Sequence, residues 1–174
     1  GHTLLKFSRK TNEHSRDSNL LDMGVNYSAS VTTDNALLYA FFGLVGLFEG
    51  HYSAIPYFYK VREYSDHESR DLWEYRLNLN QEHIDRLQDH LWEVGHTFFY
   101  YYYFTENCSY NLLTLLDVAN FDLNLRDDLP EFYTIPSHTI KIIHAKKDLV
   151  REIKVTPSNR KIFEHHFKLL NDKI

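Results

Sequence analysis

The sequence predicts a mixed α and β domain of the α+β class, and three observations predict it. Thr3 to Ser8 sets Leu5 and Phe7 against Leu4 and Lys6, the period of two that marks a strand. Gln81 to Val94 instead places Ile84, Leu87, Leu91 and Val94 at helical spacing. An aromatic, strand-like run from Tyr100 to Phe104 then ends at a polar turn, and an apolar helix begins at or beside Cys108. With 174 residues the chain can bury a real core, and a single domain over 1–174 is expected.

The elements follow in order. After the Thr3 to Ser8 strand, Thr11 to Asn19 is polar and reads as a hairpin loop. Leu20 to Val31 reads as a second strand. Ala36 to Phe48 is thirteen residues without a charge, short of the roughly 20 that span a bilayer, and reads first as a buried helix. Its other reading is the lip of an acyl-binding groove that dips into a lipid surface. Leu44, Val45, Leu47 and Phe48 would then form an exposed apolar patch beside the Cys108 cleft. Tyr52 to Tyr64 and Trp73 to Leu79 read as strands, with a charged turn or short helix between Asp66 and Asp71. Asn78 or Asn80 can cap the Gln81 helix. Pro136 opens a helix through Ile140, Ile143 and His144. Val150 to Val155 reads as a short strand. Ser158 caps a last amphipathic helix carrying Ile162, Phe163, Phe167 and Leu170.

Cys108 is the only cysteine, so an internal disulfide is excluded. Leu112, Leu115, Leu116 and Ala119 share its helical face, which should pack on the core. A cysteine at a helix N-terminus meets unpaired N–H groups and the positive end of the dipole, which favour the nucleophilic thiolate. The other reading is a small buried apolar residue. A nucleophilic thiol needs a base, and eleven histidines compete. His83 and His90 fall on the Gln81 helix as surface or edge residues. His165 and His166 are adjacent, His14 and His67 lie in polar loops, and His51 follows Gly50 in a turn. His2 leads straight into an apolar strand, where a ring can be held rigidly. It reads as the catalytic base or as an ordinary strand-end histidine.

Other chemistries have less support. The chain has no His-Glu-x-x-His, no paired cysteines and no Gly-rich phosphate loop, so neither a metal nor a cofactor is expected. There is no Gly-x-Ser-x-Gly elbow either. A net charge of −5 argues against a nucleic-acid groove. Ser109 points about a quarter-turn away from Cys108 and reads as structural. Asp127-Asp128 reads as a turn, and Glu68-Ser69-Arg70-Asp71 as a buried ion-pair knot. The abrupt start on a strand predicts residues upstream in the natural protein.

Several segments carry a resemblance in order along almost the whole chain. They are Gly1-His2-Thr3-Leu4-Leu5-Lys6-Phe7, Gly24-Val25-Asn26-Tyr27-Ser28, and Glu68-Ser69-Arg70-Asp71-Leu72-Trp73-Glu74-Tyr75. Leu77-Asn78-Leu79, the run from Tyr101 to Asn107-Cys108, and Thr134-Ile135-Pro136-Ser137 complete the set. Together they resemble the Lnb N-terminal periplasmic domain, a bacterial family. The resemblance implies a circularly permuted papain-like (NlpC-type) fold, an antiparallel sheet with the nucleophile on a helix N-terminus. In that order a strand histidine comes first, a polar orienting residue follows on the next strand, and the helix cysteine comes last. His2, Asn26 and Cys108 fit it. Asn107 would cap the helix or join the Cys108 N–H in an oxyanion site. Tyr102 and Tyr103 would wall the cleft or pack in the core, and Arg70 would support the site.

The implied activity is that of a cysteine acyltransferase of the cell envelope, on the periplasmic side. A thioester on Cys108 would carry an acyl chain from phospholipid or lipoprotein. The acceptor would be a lipoprotein amine or water, and contact with a membrane surface would follow. Membrane-embedded relatives carry transmembrane helices after this domain, so an excised domain or a soluble branch is expected here. Two other readings stand: a cysteine peptidase or amidase on cell-wall peptides, and a binding module in which Cys108 is only core.

Overall fold

The computed structural model describes residues 2–8, 22–64 and 68–171. It has the mixed architecture expected, with two antiparallel sheets and helices between and around them. The first sheet holds β1 (Leu5–Phe7), β2 (Met23–Ser30), β3 (Phe48–Pro56) and β5 (Phe99–Tyr101) in the order β1-β2-β3-β5. The second pairs β4 (Leu72–Leu77) with β6 (Val150–Thr156). The helices are α1 (Ala36–Val45), α2 (Tyr57–Arg62), α3 (Gln81–Val94), α4 (Cys108–Ala119), α5 (Pro136–Ala145) and α6 (Asn159–Asn171). The hairpin loop assigned to Thr11 to Asn19, with His14, lies outside the described residues. So do Leu20 and Leu21, Asp66 and His67, and the side chain of Leu170.

α4 is the spine of the core, and its composition explains why. A helix that is apolar nearly all round has to be covered on more than one side. Leu112, Leu115 and Ala119 pack with Leu87 of α3, and with Leu5, Phe7 and Tyr52 of the first sheet. Leu113 and Leu116 pack with Leu125, Ile142, Ile143 and Leu149, and with Tyr75 and Leu77 of the second sheet. The stripe read from the sequence is therefore buried, and a second stripe beside it is buried too. This fixes the N-terminus of α4 between the two sheets.

β2 is the central strand that meets it. Gly24 to Tyr27 are all buried, on both faces, because the strand is flanked by β1 and β3 and covered by α4. Lys6 of β1 ties the sheets together. Its ammonium lies 3.0 Å from Asp22 and 2.8 Å from Glu74 of β4, over the ring of Tyr57. Burial opposes that charge, but the two carboxylates outweigh it and hold the lysine more firmly protonated than usual.

Three elements depart from the sequence reading. Tyr52 to Tyr64 is not one strand. β3 ends at Pro56, and Tyr57 onward turns into α2, with the Tyr57 N–H donated to the Asp22 carbonyl at 2.8 Å. The Tyr, Phe and Val of this stretch favour strands only where a sheet edge accepts them. Here Tyr57 and Tyr64 are buried two helical turns apart instead. α1 forms where expected, capped by Asn35, yet only Gly43 of its residues is buried. Apart from Phe42, half-buried against Phe48, its apolar side chains face solvent, which corrects the reading of a core helix. The Glu68 to Asp71 knot is not buried either. Arg70 pairs with Glu68 at the surface at 3.0 Å, and Asp71 reaches Lys161 and the N–H of Ser158.

Candidate active site

α4 begins at Cys108 because Asn107 stops the preceding chain and caps the helix. Its backbone is extended, and its Oδ1 accepts the N–H groups of Ser109 at 3.0 Å and Tyr110 at 3.4 Å. Its Nδ2 donates to the carbonyls of Tyr103 at 3.0 Å and Thr134 at 2.6 Å. Both amide hydrogens are thereby committed. Asn107 is a cap and a clamp, and the oxyanion alternative for its side chain is set aside.

Cys108 itself is 6% exposed, at the positive end of the helix dipole. His2 lies outside any strand, three residues ahead of β1, and Asn26 lies in β2 opposite Ser53. The His2 ring is held from both sides. Nε2 meets Oδ1 of Asn26, and a side-chain hydrogen bond joins the ring to the Cys108 thiol. An amide oxygen only accepts, so Nε2 carries the hydrogen, and Nδ1 is left to exchange a proton with sulfur.

The electrostatics follow from these contacts. The hydrogen bond to Cys108 raises the His2 pKa above its ordinary value. Burial opposes this, and the thiolate charge and Asn26 add to the rise. For Cys108, burial pushes the thiol up. The hydrogen bond to His2, the imidazolium charge, the Thr3 N–H and the Ser109 hydroxyl together bring it below the ordinary value. The two shifts are reciprocal, since the charged form of each group stabilises the charged form of the other.

The structure thus brings His2, Asn26 and Cys108 together. Tyr102 and Tyr103 take the packing alternative. The ring of Tyr103 lies against Gly43 of α1, and that of Tyr102 against Gly46. There a Cβ would come within 2.3 and 2.2 Å of the respective rings. Gly46 also has a φ of 73°, the left-handed turn that ends α1. Arg70 does not join the site. Its N–H supports the Tyr64 carbonyl at 2.9 Å, and its side chain is half exposed. His51 sits within β3 rather than in a turn. His83 and His90 are on α3 and His165 and His166 on α6, as read.

Four neighbours escaped the sequence reading. Thr3 and Ser109 both hydrogen-bond the thiol, and their hydroxyls lie 3.3 Å apart. Ser109 does lie off the Cys108 line, yet it is fully buried against the N-terminal segment. Lys60 of α2 acts on His2 through its charge. Burial, then the charge of Cys108, push the phenol of Tyr101, at the end of β5, up to about 12. The only signal for Tyr101 was membership of a run in which nearly every residue is aromatic. A groove of about 620 Å³, lined by Lys6, Tyr57, Phe58, Val61, Leu72 and others, includes neither Cys108 nor His2.

Comparison with known proteins gives one match. The sequence model of the Lnb N-terminal periplasmic domain matches residues 1–146, which take in every element from β1 to α5. No curated protein and no solved structure matches the chain.

Proposed function

The chain belongs to the Lnb N-terminal periplasmic domain family, a bacterial envelope domain of the periplasm, and from that premise we propose that it is a cysteine-dependent acyltransferase. The observation that carries the reading is the constellation of Cys108 at a helix N-terminus, His2 on its thiol and Asn26 on the far nitrogen of His2. We further propose that the fold is the circularly permuted papain-like type. Its support is the order of the three residues along the chain, on an antiparallel sheet and one helix.

The chemistry runs in two steps. The Cys108 thiolate attacks the carbonyl carbon of an acyl ester, and a C–S bond forms. The carbonyl π pair moves onto oxygen, then returns and expels the alcohol, breaking the C–O bond. Protonated His2 gives its proton to the leaving alkoxide. A thioester remains. In the second step an amine attacks the thioester carbonyl, neutral His2 takes the amine proton, and the thiolate leaves. Asn26 holds the ring in the tautomer and orientation that both transfers need.

A phospholipid is the proposed acyl donor and a lipoprotein amine the proposed acceptor. Two things support a lipid substrate: the family's place in the envelope, and the exposed apolar surface of α1 next to the tyrosines that lead into Cys108. Among the described residues no helix is long and apolar enough to cross a membrane. We therefore propose contact with the bilayer surface rather than insertion by these helices.

The test is intact mass spectrometry after incubation with phospholipid vesicles. One acyl chain should add to the protein, leave on treatment with neutral hydroxylamine, and fail to appear in Cys108→Ala. An unmodified wild-type protein, or an adduct that persists in Cys108→Ala, would sink the reading.

A further inference from the structure

We propose that the groove beside α2 binds a single-chain anionic amphiphile, with its alkyl tail on the apolar wall and its carboxylate or phosphate head on the cations of the rim. The groove has a volume of about 620 Å³, within the range of roughly 300–1,000 Å³ that takes small molecules.

The wall follows from the way α2 forms. That helix buries Tyr57 and Tyr64. Phe58 and Val61, three residues apart, share another of its faces and line the groove together with Leu72 of β4. All three are half-buried, and none belongs to either core cluster. The fold leaves here an apolar surface that its own core does not use.

The charges fix the sign of the ligand. Lys6 lines the groove but is satisfied by Asp22 at 3.0 Å and Glu74 at 2.8 Å. Glu74 is satisfied in turn, since it also accepts the Tyr57 hydroxyl at 2.9 Å. Two more cations line the groove. Arg62 has no ion pair among the described residues. Lys154 has only a distant one, 3.8 Å from Glu74, and its side chain is 62% exposed. With the carboxylate spent on Lys6, positive charge is left over beside an apolar wall. An anionic head on an alkyl tail complements both. The chain as a whole carries −5, so these local cations hold the head, not a general field.

The position argues for a lipid. Lys6 stands opposite Gly24 in the β1–β2 ladder, and Gly24 and Asn26 share a face of β2. Lys6 is thus only about 7 Å along the strand from the residue that holds His2. Leu4 and Tyr57 stand between, each 3.7 Å from the point a Gly24 Cβ would occupy, so the step is apolar. A chain-bearing anion beside an acyl-transfer site is a molecule that the reaction consumes or releases. The identity of the ligand rests on the acyl-transfer reading, whereas its binding is measured without it.

The experiment is calorimetric titration of the protein with dodecanoate and with dodecyl phosphate, each below its micelle concentration. Neither carries an ester, so no chemistry at Cys108 enters, and failure of the acyl-transfer reading would leave the result standing. One molecule should bind per chain. Shortening the tail by two methylenes should weaken binding about 15-fold, the worth of two buried CH₂ groups. Dodecyltrimethylammonium, of opposite charge, should not bind. Arg62→Gln with Lys154→Gln should lower affinity by about tenfold, the worth of two exposed ion pairs, and both positions are exposed, so the fold is kept. Val61→Asp, which puts a carboxylate into the wall, should abolish binding. Tighter binding of dodecyl phosphate would assign the head to a lipid phosphate, and tighter binding of dodecanoate to a free fatty acid. Absence of binding, equal binding of the cationic amphiphile, or affinity unchanged by the Arg62 and Lys154 substitutions would overturn the proposal. So would binding that Leu44→Ser and Leu47→Ser remove while the groove variants retain it, since the amphiphile would then sit on α1.

Discussion

Burial alone would keep Cys108 protonated, so its reactivity depends on a few neighbouring atoms. The lowered thiol pKa and raised His2 pKa draw the two titrations toward each other, so each group favours the charged form of the other. Below the Cys108 pKa the thiol is protonated and silent. Above the His2 pKa the proton donor is gone. Iodoacetamide alkylation should therefore rise through a pKa below the thiol's ordinary value. In His2→Gln that limb should move to higher pH, since hydrogen bond and charge both vanish. Asn26→Ala should move it less, and should lower turnover by about 10²-fold, the low end of an acid–base contribution. Identical pH–rate curves for wild type and His2→Gln would contradict the ion pair. At this scale the sequence order and its family resemblance were enough to pick out His2, Asn26 and Cys108. The part played by Tyr101 was not legible, because its neighbours Tyr100, Tyr102 and Tyr103 carry the same ring and only the fold separates their surroundings.

Helices with strong local signals were the legible elements. α3 runs from its Asn80 cap along the stripe of Ile84, Leu87, Leu91 and Val94, and α5 starts at its proline. α2 was hidden, because its aromatic residues fit a strand as well as a helix, and the Asp22 carbonyl that starts it lies 35 positions away in the sequence. The cap of α4 is the element on which the site depends. Asn107→Ala would remove an N-cap worth about 1 kcal/mol. It would also strip the Tyr103 and Thr134 carbonyls of their donor, at about 1 kcal/mol each. A loss of about 3 kcal/mol corresponds to a melting temperature lower by about 10 °C in a chain of this size. Asn107→Asp keeps the acceptor and should recover about a third of the loss. Equal melting temperatures for wild type and Asn107→Ala, measured by calorimetry, would show that the clamp is not structural.

The whole molecule joins its two sheets through Lys6 and through α4, so the site sits between layers that have to stay registered. β6 follows the family-matched residues, yet it pairs along β4 within them, so the C-terminal strand is knit into the same body. What the sequence could not reveal was which apolar surface stays outside. Ala36 to Phe48 has a composition suited to a core. Burial was decided by how much room α4 and the aromatic run left, and only Gly43, Gly46 and Phe48 of the later part found cover. Leu37, Phe41, Leu44, Val45 and Leu47 are left exposed on an uncharged helix and its turn. With a net charge of −5 the protein has no general attraction for anionic lipid. Vesicle binding through this face should therefore be hydrophobic and indifferent to salt, because screening acts on charges and not on apolar burial. Replacing Leu44 and Leu47 by Ser removes two side chains, each worth about 1.5 kcal/mol on transfer. Partition onto phosphatidylcholine vesicles, read by co-sedimentation, should fall by about 10²-fold while the melting temperature holds. Binding that survives both substitutions, or that collapses in 0.5 M salt, would mean that this face is not the one that meets lipid.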